Sequence, residues 1–193
     1  GQIKLIQIIS YAGSVYGVGP VSGAFYLFGR TKNNERARET GLLGAEALVD
    51  SIIVVSALKG VSQRARPLTG HERSEFFEGG NSFPSGHSTQ AWALAAIVAN
   101  EYHERRSIQL LAYGTAAAVS VARFTGNKHY LSDILAGSAL GYAIGRYGYT
   151  AHHRKSLDLT SEDERVEQSH WLAITPRFNR GASAYGVSVR WSF

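Results

Sequence analysis

Three apolar runs constrain this chain more than any other feature. Ser88–Asn100, Ile108–Ala122 and Ile134–Gly145 carry no charge, are rich in Ala, Gly and Ser, and are each closed off by polar residues. All fall short of the roughly 20 apolar residues a membrane-spanning helix needs. They are expected to be buried helices of a globular bundle rather than spans. A longer uncharged run, Leu5–Gly29, is interrupted by Gly17, Gly19 and Pro20. Glycine and proline in mid-run break a helix, so two short segments are expected, about 3–16 and 20–29, hinged at Gly19-Pro20.

The charged stretch RTKNNERARET (30–40) reads as a loop entering a helix over 41–64, which Pro67 ends. A Gly-rich polar loop over 68–83 follows, then helices near 85–103, 107–123 and 129–147, punctuated by Glu104-Arg105-Arg106 and Gly126-Asn127. The expected fold class is all-α: a helical domain over 1–150, a polar linker or short helix over 151–170, and a tail over 171–193. In that tail Tyr185, Val187, Val189, Trp191 and Phe193 alternate with small or polar residues, which predicts a β-hairpin. A closing strand with a terminal Phe also resembles the end of an outer-membrane barrel, but one hairpin cannot close a barrel.

Lys and Arg number 20 against 15 Asp and Glu, for a net charge of +5 and a pI near 9.6. Such a balance suits an anionic partner: a phosphate ester, a lipid head group or nucleic acid. With no cysteine, disulfides and thiol catalysis are excluded. There is no Met even at position 1, so the start is expected to be processed, trimmed or that of a fragment, and a removed secretory signal would leave no trace.

The candidate chemistry sits at three junctions. In NSFPSGHST (81–89) the polar stretch gives way to an apolar helix at Pro84-Ser85-Gly86-His87. The first N–H groups of a helix lack intrahelical partners and point outward with the positive end of the dipole behind them, which makes an anion site. Ser85 adds a hydroxyl, Gly86 admits close backbone approach, and His87 can donate a proton. In KGVSQRARP (59–67), Lys59 and Arg66 are seven apart, so a continued helix puts both on one face. In ARFTGNKHYLSD (122–133), Arg123 ends one helix, His129 opens the next and Asp133 follows four residues on. A carboxylate there can hold one ring nitrogen and leave the other nucleophilic. Read singly, these are equally a serine cap, dipole compensation at a helix end and an i,i+4 polar pair. Together they supply three cations, backbone donors, a nucleophile and a proton donor, the set that in-line displacement at phosphorus requires.

The pattern Lys59-x6-Arg66-Pro67, Pro84-Ser85-Gly86-His87 and Arg123-x5-His129-x3-Asp133 resembles the type 2 phosphatidic acid phosphatase superfamily, which includes bacterial acid phosphatases, lipid phosphatases and vanadium haloperoxidases. The motifs lie in the family's order within about 40–146; Ala122 stands where many members have Ser. The resemblance implies a helical bundle of the acid phosphatase and haloperoxidase type, and a metal-independent phosphomonoesterase. It implies that His129 attacks phosphorus, Asp133 orients His129, and His87 protonates the leaving oxygen and then activates water. Lys59, Arg66, Arg123, Ser85 and the Gly86 amide would hold the phosphoryl oxygens. No cofactor is expected, though vanadate could bind as a phosphate mimic. The expected partner is a phosphate ester, with lipid phosphate, polyprenyl diphosphate and small soluble esters all open, and with contact at a membrane surface. Nucleic acid is not expected. The expected place is the cell envelope, periplasmic or membrane-associated.

Two rivals stand beside this reading: a vanadium-dependent haloperoxidase on the same residues, and a non-enzymatic membrane-associated binding protein. A serine hydrolase on Ser85 is weaker, because the flanks are not those of G-x-S-x-G. His71, His103, His152 and His153 show no metal-ligand spacing and are expected at the surface.

Overall fold

A computed structural model of the chain describes residues 9–67, 75–168, 173–178 and 185–190, with side chains as far as Arg154. The helices are α1 (Val15–Thr31), α2 (Glu35–Ser62), α3 (Gly86–Glu101), α4 (Arg106–Thr125) and α5 (Leu131–Gln168), followed by strands β1 (Ala173–Phe178) and β2 (Tyr185–Arg190). The chain divides into two compact units at Ala151 and His152. Helix α5 runs through the stretch expected as a linker or short helix.

The second unit carries the hairpin. Strands β1 and β2 pair antiparallel, from Ala173 opposite Arg190 to Phe178 opposite Tyr185. Pro176 is tolerated because both strands of a two-stranded ribbon are edges.

In the first unit α3 is the central helix. Ala93 and Ile97 pack with Leu43 and Ala47 of α2, while Ala91 and Ala95 pack with Ala116 and Val119 of α4. The side chains of Ala96 and Ile97 are wholly buried. Helix α5 crosses α3 on three glycines one turn apart. A Cβ on Gly137, Gly141 or Gly145 would lie 2.6, 2.1 and 2.2 Å from the carbonyl oxygens of Ser85, Thr89 and Ala93. Small residues on both helices let the backbones meet, and this crossing brings the starts of α3 and α5 together.

Two boundaries differ from expectation. The break in the N-terminal run falls at Gly13-Ser14, and Pro20 lies inside α1. Pro20 is in the second turn, where it has no N–H to donate to the carbonyl of Tyr16. Helix α2 begins at Glu35, six residues before the expected start. The Asn34 side chain accepts from Ala37 N at 3.0 Å, and Glu35 complements the dipole in the first turn.

The early start makes α2 28 residues long, about 42 Å at 1.5 Å per residue. By length and composition it could cross a membrane, with only 39% of its apolar stretch buried. The expectation that the apolar runs are too short, or in Leu5–Gly29 too broken, to span counted uncharged residues alone, and Glu46 and Asp50 interrupt this one. Elsewhere on the bundle Leu27, Leu110, Leu111, Val121 and Leu135 are also exposed.

Gly141→Leu should test the crossing. Its side chain must displace the Thr89 carbonyl, so a loss of about 1–3 kcal/mol is expected from overpacking, read as a lower thermal midpoint. An unchanged midpoint would show that α3 and α5 do not meet this closely.

Candidate active site

The three junctions lie at one end of the bundle: the end of α2, the start of α3, the end of α4 and the start of α5. Each is set by a local device. Helix α2 stops at Ser62 because Gln63 takes a left-handed conformation, φ 42°, and donates its N–H to Lys59 O at 3.0 Å. Arg66 therefore does not share a helical face with Lys59. It arrives on the irregular segment after α2, with its Nε donating to Asn81 Oδ1 at 2.8 Å. It still acts electrostatically on Lys59, His87, Arg123 and His129.

Ser85 occupies the N-cap position of α3, but its side chain accepts none of the first-turn N–H groups. The hydroxyl is buried and accepts from Ser88 Oγ at 3.1 Å, so its own hydrogen remains available to donate. A Cβ on Gly86 would sit 3.9 Å from Lys59 Nζ, which places the ammonium beside the first helical residue. Arg123 Nη1 donates to Ser10 Oγ at 2.7 Å, while its buried Nε has no hydrogen-bond partner among the described residues.

His129 is 3% exposed. Its Nδ1 lies 2.8 Å from the carbonyl oxygen of Ser82. A carbonyl can only accept, so the bond assigns the ring proton to Nδ1 and leaves Nε2 bare. Asp133 was expected to hold the ring. Its Oδ2 is 3.7 Å from Nδ1, near enough for charge but beyond a hydrogen bond. The carboxylate is engaged elsewhere: Oδ1 accepts from Arg64 Nη1, while Oδ2 accepts from Ser82 Oγ at 2.5 Å and from Tyr130 N at 3.0 Å. The last bond is the return half of a capping box, with Asp133 third in α5. The Asp133 carbonyl also accepts from Ser85 N at 3.0 Å.

These surroundings set the protonation states. Burial, then Arg123, His129, Lys59 and Arg66, push His87 down to about 4. Burial also lowers His129; the nearby Asp133 and then the Ser82 carbonyl work against that, and Arg123 and Arg66 reinforce it. For Asp133 burial acts upward, but the bonds from its neighbours and the charge of Arg64 win and hold it below the usual carboxylate range. Both histidines are thus neutral at neutral pH while the site holds only its own charges.

Of the expected residues, Lys59, Arg66, Gly86, His87, Arg123 and His129 come together, with Ser85 and Asp133 as buried supports behind them. Three residues went unread: Arg64, Ser82 and Ser10. Arg64 was visible as a third cation between Lys59 and Pro67. Ser82 and Ser10 act through partners 47 and 113 residues away, and no local pattern marks them. His103, His152 and His153 take no part in the site, and His71 lies outside the described residues.

Comparison with known proteins bears on this arrangement. Residues 40–157, more than half of the chain, match the model of the PAP2 superfamily. A 70-residue stretch is 39% identical to the lipid A 1-phosphatase of Porphyromonas gingivalis; it covers 36% of this chain and 16% of that protein. The fold is similar to the crystal structure of Aquifex aeolicus LpxE, with a TM-score of 0.59 and 21% identity over 77% of this chain and 86% of that one. It is also similar to a transmembrane PAP2-type phosphatidylglycerolphosphate phosphatase from Bacillus subtilis, with a TM-score of 0.60 and 22% identity over 79% of this chain and 77% of that one.

Asp133→Ala should be severe for stability as well as for any activity. It leaves the buried Arg64 guanidinium without its partner, a change that typically costs about 3–5 kcal/mol. Denaturant unfolding would register it, and a variant as stable as the parent would remove Asp133 from its central place.

Proposed function

Because the chain belongs to the PAP2 superfamily, we propose that it is a metal-independent phosphatase acting on a lipid phosphate through a phosphohistidine. The observation that carries this reading is the Nδ1 bond of His129, which leaves Nε2 free in a site where, among the described residues, Lys59, Arg66 and Arg123 stand near the ring and the carboxylate of Asp133 is already bonded to Arg64 and Ser82. His129 Nε2 attacks phosphorus as the bond to the leaving oxygen breaks, and His87 delivers its proton to that oxygen. The Ser82 carbonyl and the charge of Asp133 stabilise the ring as it turns cationic. Water then attacks phosphorus, His87 takes its proton, and the phosphorus–nitrogen bond breaks to restore His129. Lys59, Arg66, Arg123 and the first amides of α3 neutralise the phosphoryl oxygens, the work a metal ion does elsewhere. Arg123 Nε is a donor that such an anion would satisfy.

His87 is neutral until substrate arrives, and a bound phosphate dianion would raise its pKa. Protonating His87 becomes more costly as pH rises above about 4, so kcat/KM for an alkyl phosphate should fall with rising pH. The descending limb of kcat should lie at higher pH than that of kcat/KM, because bound phosphate holds the proton.

A lipid substrate is supported by the apolar surface of the bundle. Exposed Leu42, Val49 and Ile53 on α2, Leu110, Leu111 and Val121 on α4, and Leu135 on α5 suit hydrocarbon more than water. We place the apolar middles of the helices in a bilayer, with the catalytic junctions beyond them at head-group level. Glu46 and Asp50, exposed one turn apart on α2, then require a protein or aqueous neighbour rather than lipid. At the end away from the site lie Arg30, Lys32, Arg36 and Arg38 at and beside the turn from α1 to α2, and Arg105 and Arg106 at the turn from α3 to α4. Short loops rich in Lys and Arg stay cytoplasmic, so the site faces out of the cytoplasm, in keeping with a place in the cell envelope.

The central test is a pair of histidine variants assayed with chelator present. His129→Ala should abolish phosphoenzyme formation. His87→Ala should slow alkyl phosphates by about 10²–10⁴-fold, the usual worth of a general acid, and p-nitrophenyl phosphate far less, since p-nitrophenolate leaves unaided. Activity that disappears with chelator and returns with magnesium or zinc would refute the site. Orientation can be read separately, because the chain has no cysteine of its own. Lys128→Cys should react with an impermeant maleimide in intact cells and Lys32→Cys only after lysis; the reverse pattern would invert the topology.

A further inference from the structure

The turn over 75–80 stands at the catalytic end and takes no part in the scheme above. Backbone bonds pin it to the end of α2 and the segment after it. Phe77 N donates to Ser62 O at 2.9 Å, Glu78 N and Gly80 N donate to Gln63 O at 3.0 and 2.9 Å, and Ala65 N donates to Glu75 O at 3.2 Å. Phe76 fastens the turn further: the centre of its ring lies 4.8 Å from the Arg64 guanidinium, and it meets the Phe83 ring edge-on at 5.7 Å. Its neighbour Phe77 takes a left-handed conformation, φ 68°, which a bulky residue adopts only where its surroundings impose it. The result is a Phe held out from the fold, 75% exposed. The apolar surface continues down α2. Val49, Ile53, Ala57 and Val61 stand four residues apart, all exposed, and the row ends beside Ser62, whose carbonyl holds Phe77.

We infer that Phe77 is a lipid-surface anchor at the rim of the site: its ring enters the hydrocarbon edge of the leaflet from which the substrate comes. This rests on the bilayer placement proposed above, not on the phosphohistidine chemistry. The strained backbone at Phe77 costs stability, and burial of the ring within the fold does not offset it. An apolar phase outside the fold does, because an exposed Phe gains by leaving water. That phase is hydrocarbon rather than a second protein, because the ring tops a row of apolar side chains that the bilayer placement already sets in lipid. Surface charge contributes nothing: Glu75 and Glu78 flank the two rings and would be repelled by an anionic membrane. The use of the anchor is one of level. Lys59, in the last turn of α2, belongs to the phosphate site. With Phe77 held at the surface, the mouth beside Lys59 stays level with the head groups, and a lipid phosphate reaches it with its chains still in hydrocarbon. A small soluble ester has no such need.

The chain has no cysteine, so single labels report without background. In vesicles of zwitterionic lipid, a nitroxide on Phe77→Cys should be relaxed by oxygen and little by a water-soluble nickel chelate, at a depth between those of labels on Ile53→Cys and Lys128→Cys. Added salt should leave that depth unchanged, because it screens charge and not apolar burial. A label relaxed by nickel would put Phe77 in water, and one shielded from both reagents would put it against protein, as in a contact between two copies; each overturns the inference. The kinetic arm uses Phe77→Gly, which removes the ring and suits a positive φ, so its thermal midpoint should not fall. Its kcat/KM for a long-chain lipid phosphate in vesicles should drop about tenfold, which corresponds to losing part of one Phe burial, while p-nitrophenyl phosphate should stay within about twofold of the parent. Phe77→Trp should keep the lipid rate. Equal loss on both substrates, or no loss on the lipid, would overturn the anchor. A parent chain inactive on every phosphate would refute the proposed function, yet the label depths would still be expected. Water contact at Phe77 with Ile53 still in lipid would overturn the anchor alone, so the two failures are separable.

Discussion

The Asp133 carboxylate is the point on which the site hangs. It is fully buried, and a buried charge persists only when its lost hydration is replaced. The replacements come from all three junctions: Arg64 after α2, Ser82 before α3, and the Tyr130 N–H at the start of its own helix. Its backbone carbonyl adds the Ser85 N–H. Each donor removes part of the desolvation cost, and each ties a separate stretch of chain to the first turn of α5. The geometry of His129 follows, since the peptide that receives its Nδ1 proton belongs to Ser82.

That arrangement needs α3 and α5 to start close together, and the glycine ridge on α5 is what permits it. Contacts of 2.1 to 2.6 Å from a hypothetical Cβ to backbone oxygens leave no room for any side chain. Packing of small residues thus precedes the chemistry in the order of causes. The helices meet over Gly137, Gly141 and Gly145, their starts converge, and the converging starts carry Ser85, Gly86, His87 and Asp133.

The electrostatic balance explains why the site suits an anion. Lys59, Arg66 and Arg123 face the two histidines, and the nearby carboxylate is committed to Arg64. Burial and then the positive field hold His87 neutral at rest, and under the proposed function a phosphate dianion would relieve that field. On that proposal binding and proton uptake are coupled: the substrate would bring the charge that protonates His87. The mutual repulsion of the cations costs stability in the empty site, and an anion that binds only the folded state would return it.

Much of this was legible in the sequence. The three motifs, the all-α class and the helices bearing the site follow from apolar runs broken by turn residues and from residue types that suit phosphoryl chemistry. These are local properties, and local order preserves them. What failed were inferences that carried a local rule past its reach. Pro20 was read as a hinge, although α1 runs through it. Lys59 and Arg66 were put on one helical face, although Gln63 ends the helix between them. Asp133 does stand beside His129, but it also serves Arg64, 69 residues away in sequence, which its spacing could not reveal. The sequence by itself determined which groups are available and at which helix ends they stand. Only the tertiary structure decided which partner each group meets, because hydrogen bonds and buried charges are allotted by distance in space, and the packing of α3 on α5 sets those distances.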